Sequence, residues 1–135
     1  MENKDRIISE KILRYCDEVK AAHDMFGNQK DLFYADEPRS FVYRNAVSMP
    51  IQQIGELAKS YSEDFLKETK YIPWKEIKGM RTLFAHQYDD MDIDKIWDAS
   101  NEDIQSLSSS LQEVLNKDVS ESSTDSIVRP IRRGR

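Results

Sequence analysis

The stretch WKEIKGMRTLFAHQY, residues 74–88, puts an arginine where the surrounding pattern asks for an apolar side chain. Trp74, Ile77, Arg81, Phe84 and Tyr88 recur at spacings of 3, 4, 3 and 4, the period of one helix face. A guanidinium buried without a partner is very costly, so Arg81 requires an anion, a carboxylate or an opening in the core. On an ideal helix Arg81 and Tyr88 share a face and lie roughly 10 Å apart, whereas His86 is about 140° round from Arg81. Arg81 and His86 converge only if the helix ends near Ala85, if two chains contribute, or both. The residue types allow a definite chemistry. Arginine stays protonated and offers a planar fork to phosphate oxygens. An imidazole with a reference pKa of about 6.5 gives or takes a proton near neutral pH. The structural alternatives are an Arg81–Glu56 ion pair, a His86 held at a helix C-terminus by the macrodipole, and a Tyr88 that is only a core or interface aromatic.

Helices must position these groups, because helical periodicity dominates the chain and alternating strand patterns are scarce. The first helix is expected from about Asn3 to Phe26, capped by Asn3 or Asp5 and ended by Gly27, with Ile8, Ile12, Cys16 and Val19 inward. A short turn is expected around Asp31–Tyr34. Asp36 with Glu37-Pro38 reads as the start of a second long helix, with Val42, Ala46, Met49, Ile54, Leu57, Ala58 and Tyr61 as its stripe and a kink at Pro50. Ser62 caps a short helix, Glu63–Thr69, and Pro73 opens the helix that carries Arg81. The acidic loop Asp89-Asp90-Met91-Asp92 ends that helix and caps the last, whose apolar residues run from Ile93 to about Lys117. The prediction is an all-α, up-and-down bundle of four main helices with one or two short ones over residues 1–117, and a disordered polar and basic tail over 118–135.

Composition narrows the function. Of 135 residues 39% are apolar and 33% charged, with four glycines and four prolines, which disfavours a turn-rich β-sandwich. No apolar run approaches the ~18 residues of a membrane span, and the charged opening MENKDRIISEK has no signal-peptide core. One cysteine, Cys16, forms no internal disulfide and reads as a small buried hydrophobe; a cytoplasmic location is expected. Two histidines and one cysteine cannot supply a Cys/His zinc site, and the Asp89/Asp90/Asp92/Asp94 cluster lacks EF-hand spacing, so no metal ligand is assigned. His23 is expected to be solvated or locally paired. A net charge of −5 argues against coating of nucleic acid by bulk electrostatics, so a polyanion must bind at a local cationic pocket.

Arg81, four residues, His86, one residue and Tyr88 resemble the R-x4-H-x-Y motif of HepT-like proteins of the HEPN (higher eukaryotes and prokaryotes nucleotide-binding) superfamily. Ile54-Gly55-Glu56, Pro73-Trp74, Ile77-Lys78-Gly79-Met80, the aspartate-rich turn and Trp97 are similar to that family's landmarks, and the resemblance covers roughly residues 5–116. It implies a homodimer whose motif helices face each other, so that two copies of Arg81 and His86 make one cleft. It implies a metal-independent endoribonuclease toxin that needs no cofactor. It also implies a partner, an MNT-type minimal nucleotidyltransferase antitoxin that uses ATP to adenylylate (AMPylate) Tyr88. Thr82 departs from the motif, which more often has Asn or another strongly polar residue there. A threonine hydroxyl competes for its own i−4 carbonyl, so the dimer and partner implications are stronger than the catalytic one. Glu56 either orients Arg81 or satisfies a backbone group. The alternative function is a non-catalytic helical subunit that binds nucleotide or only pairs with the nucleotidyltransferase.

Overall fold

The computed structural model describes residues 1–84 and 92–128, with side chains over 1–82 and 92–119. His86, Tyr88, Asp89 and Asp90 lie outside the described residues, as do residues 129–135 of the tail. The fold is all-α, as expected, and among the described residues there is no strand.

Helix α1 (Asn3–Met25) buries Ile8, Ile12, Cys16, Val19 and Ala22. It ends as expected: Gly27 takes a left-handed φ of +73°, and the Asn28 amide reaches back to the His23 carbonyl at 2.7 Å. Its start differs. Glu2 is the N-cap and makes no side-chain bond, while Asp5 is buried against Ser62, four residues past the end of the next long helix. Asp5 accepts from the Ser62 amide at 2.9 Å and the Ser62 hydroxyl at 2.7 Å. Ser62 Oγ in turn accepts from the Phe65 amide at 3.2 Å and so caps α4 (Glu63–Glu68), as its sequence predicts.

The short helix α2 (Lys30–Tyr34) leads to α3 (Pro38–Ala58), which starts on Glu37 rather than Asp36 and runs unbroken through Pro50. Its buried face is the expected one from Ile54 to Tyr61 but not in the first half, where Val42, Ala46 and Met49 face outward. Tyr43, Val47, Ile51, Ile54 and Ala58 are fully buried, whereas Val42 and Met49 are each 58% exposed. Apolar residues stand on two adjacent faces of this helix, and the period alone does not decide which face turns inward. The contacts fix directions: His23 near the end of α1 meets Tyr43 near the start of α3, and Ser9 near the start of α1 meets Tyr61 just past its end. α1 and α3 are therefore antiparallel.

The α-helical part of the element carrying Arg81 ends earlier than expected. Pro73 caps α5 (Trp74–Gly79), and the chain then continues as a 3₁₀ turn, Met80–Phe84. A 3₁₀ turn has about 3.0 residues per turn and a rise near 2.0 Å, so the ideal-helix register does not hold over Met80–Phe84, and the expected placement of Tyr88 on the face of Arg81 lies outside the described residues. Asp92 caps α6 (Ile93–Asp98) by accepting from the Lys95 amide at 3.1 Å. A single π-helical turn, Ala99–Asp103, joins α6 to α7 (Ile104–Val128). Helix α7 thus passes the expected end at Lys117, and residues 118–128 are helical. An ion pair between Arg6 and Asp118 ties it to α1. No helix among the described residues is long and apolar enough to cross a membrane.

Candidate functional site

Arg81 sits at the start of the 3₁₀ turn, pressed on α3 at Gly55. A Cβ built on Gly55 would lie 2.9 Å from the Arg81 backbone nitrogen, 3.1 Å from the Arg81 Cβ and 3.2 Å from the Ile77 carbonyl oxygen. Two of these atoms are backbone, and only glycine admits so close an approach. Ile77, Met80 and Ile54 are buried on either side and hold the turn against the helix. The apolar neighbours therefore dock the segment, and the arginine comes with it.

The guanidinium is partly buried, and its Nε has no hydrogen-bond partner among the described residues. An orphaned buried donor costs about 1–3 kcal/mol and calls for an explanation. Glu56 does not supply one: it is exposed, and its carboxylate pairs with Lys59 at 3.5 Å, one turn along α3. Thr82 is exposed and donates its hydroxyl to the Gly79 carbonyl at 2.7 Å, an i−3 bond that secures the end of α5. Its side chain is occupied locally, as the sequence warned, though with i−3 rather than i−4. Thr82 borders an open cleft of about 440 Å³ whose walls carry Glu76, Asp98, Asp103 and Lys95. Burial pushes the Asp103 carboxyl up, and Asp98 and Glu76 add to the effect. Three carboxylates against one ammonium make that wall unfavourable to phosphate.

His23 is 5% exposed and far from Arg81 in the fold, in a chain of hydrogen bonds that sequence reasoning missed. Ser100 donates its hydroxyl proton to the Trp97 carbonyl at 2.9 Å and so accepts from His23 Nε2, 2.8 Å away. That leaves Nδ1 unprotonated, to accept from the Tyr43 hydroxyl at 2.6 Å. Burial lowers the His23 pKa, with Asp24 opposing. The ring is a neutral structural member wedged edge-on against Tyr43 and Trp97, with no free nitrogen for catalysis. The π-helical turn puts Ser100 where this network needs it. Cys16 is equally inert, since burial, then Asp17, pushes its thiol up to about 12. Arg44, unlike the partly buried Arg81, is buried, and it donates to the Phe33 and Ala35 carbonyls at the end of α2, at 2.5 and 2.9 Å. It stands next to Tyr43 on the buried side of α3, and only the correct phase of that stripe could have revealed it.

Comparison with known proteins follows the same stretch of chain. A family described as ribonuclease HepT-like matches residues 12–114. The chain is 30% identical over 88 residues to "Putative RNase MJ1380" of Methanocaldococcus jannaschii, covering 65% of this chain and 81% of that one. It is 28% identical over 110 residues to "Putative RNase MJ0125" of the same organism, covering 82% and 89%. With "Probable ribonuclease HepT" of Thermococcus cleftensis it shares 35% identity over 75 residues, covering 56% and 64%. No solved structure gives a significant match.

Proposed function

The chain belongs to the HepT-like ribonuclease family, and from that premise we propose that it is the toxin of a two-component system, an endoribonuclease with Arg81 and His86 as its catalytic residues. The observation that carries the reading is the Arg81 guanidinium: it is fixed by its backbone on α3, yet its buried Nε is left without a partner among the described residues. A phosphate oxygen is a fitting acceptor for such a donor. In a homodimer the two copies of His86 divide the proton transfers. One accepts the proton of the RNA 2′-hydroxyl as that oxygen attacks phosphorus; the other protonates the departing 5′-oxygen. The products are a 2′,3′-cyclic phosphate and a 5′-hydroxyl, and Arg81 balances charge on the phosphorane. No metal ion or other cofactor takes part.

Control falls to Tyr88 and a nucleotidyltransferase antitoxin. The tyrosine oxygen attacks the α-phosphorus of ATP, loses its proton and displaces pyrophosphate; the attached AMP brings a phosphate to the cleft, adds about one negative charge per unit, and blocks RNA. The second reading, a non-catalytic interaction subunit, is favoured by Thr82, whose hydroxyl proton is taken up by the Gly79 carbonyl of its own segment.

Expression of the chain alone in a bacterial host separates the two readings. The toxin reading predicts growth arrest, abolished by His86→Ala and relieved by the co-expressed nucleotidyltransferase. Arrest that persists in His86→Ala assigns the effect to binding alone. Tyr88→Phe should stay toxic and escape relief, and additions of AMP mass should vanish from it; relief of the Phe variant would return Tyr88 to the role of an interface aromatic.

A further inference from the structure

We propose that Gly55 is a positioning residue for Arg81, a role that rests on the reading of Arg81 as the group that meets the RNA phosphate. The glycine lies in the last turn of α3, on its buried side with Ile51, Ile54 and Ala58, where an apolar side chain would ordinarily fill space and where alanine is the better helix former. Nothing in its backbone requires glycine, since it is helical. What requires it is the approach of the 3₁₀ turn. The added Cβ would stand 2.9 and 3.1 Å from the nitrogen and Cβ of Arg81 itself, below the separation of ordinary contacts. The third close atom, 3.2 Å away, is the carbonyl oxygen of Ile77 in the helix that feeds the turn.

A methyl group here cannot be accommodated by rotating a flexible side chain. It must lift the backbone of Arg81 off α3, and the guanidinium at the end of that side chain moves with it. Gly79 provides a built-in contrast: it is two residues from Arg81, yet a Cβ on it meets nothing among the described residues within 4 Å.

The test uses the full-length protein as wild type, Gly55→Ala, Gly79→Ala, Arg81→Ala and Gly55→Ala/Arg81→Ala. Cleavage of an RNA substrate, thermal unfolding and the ¹⁵N-correlated Nε–H signal of Arg81, identified by its loss in Arg81→Ala, are read for each. Expected for Gly55→Ala is a folded protein at 25 °C with a displaced Arg81 Nε–H signal and cleavage reduced about ten- to a hundredfold, the cost of misplacing a catalytic group by up to an ångström. Adding Gly55→Ala to Arg81→Ala should cost nothing further, and Gly79→Ala should match wild type in signal and rate. An unmoved Arg81 signal, an unreduced rate, or losses that multiply in the double variant would overturn the proposal. So would a Gly55→Ala chain unfolded at 25 °C, because the bundle rather than the arginine would then need the glycine. If wild type itself leaves RNA intact, the ribonuclease reading fails and the Arg81 signal alone decides the positioning role.

Discussion

Both ring nitrogens of His23 are engaged, one by Tyr43 and one by Ser100, and burial holds the ring neutral. That state has a thermodynamic consequence. The unfolded chain binds a proton at this histidine near pH 6.5, while the folded chain binds it only at lower pH. The unfolded state therefore gains protons first as pH falls. The contribution is complete above about pH 6.5 and is lost between there and the lower folded value, at no more than about 1.4 kcal/mol per pH unit. Urea midpoints from pH 8 to 5 should decline more steeply in wild type than in His23→Gln; parallel slopes would show that the ring is not held neutral. None of this was legible in the sequence, because the partners of His23 are 20 and 77 residues away. Arg81 was legible because it interrupts a stripe, and an interruption is visible locally.

Among the elements, the ends of helices were easier to read than their inward faces. Gly27, Pro38, Ser62, Pro73 and Asp92 act at or beside the expected boundaries, since capping is decided by a few adjacent residues. In the first half of α3 the face was misjudged, because Tyr43, Val47 and Ile51 compete with Val42, Ala46 and Met49 and only packing against α1 decides between them; Ile54, Ala58 and Tyr61 were read correctly. Asp5 was assigned a local capping role and instead clamps α1 to the start of α4 through two bonds from Ser62. Asp5→Ala strands the Ser62 amide and hydroxyl and should cost about 1–3 kcal/mol in a urea melt. Asp5→Asn keeps one acceptor oxygen and should cost less. Equal losses in the two variants would show that size rather than hydrogen bonding matters there.

For the molecule as a whole, the all-α class and the family followed from the sequence because landmarks from Gly55 to Trp97 occur in order. The way Arg81 is held did not, since the change from α-helix to 3₁₀ turn after Gly79 depends on docking against α3. A cleft built from two copies of Arg81 and His86 requires a dimer, with each motif segment against its mate. Sedimentation at micromolar concentration should give about twice the chain mass of 15.8 kDa, and a species at the single-chain mass alone would contradict this. The most direct measurement of the central claim is incubation of the purified protein with RNA in excess EDTA, beside Arg81→Ala and His86→Ala. Wild type should cleave the RNA to leave a 2′,3′-cyclic phosphate and spare DNA of the same sequence, and the rate should fall at least about a hundredfold in each variant. Cleavage that EDTA abolishes and Mg²⁺ restores, or that survives in both variants, would contradict it.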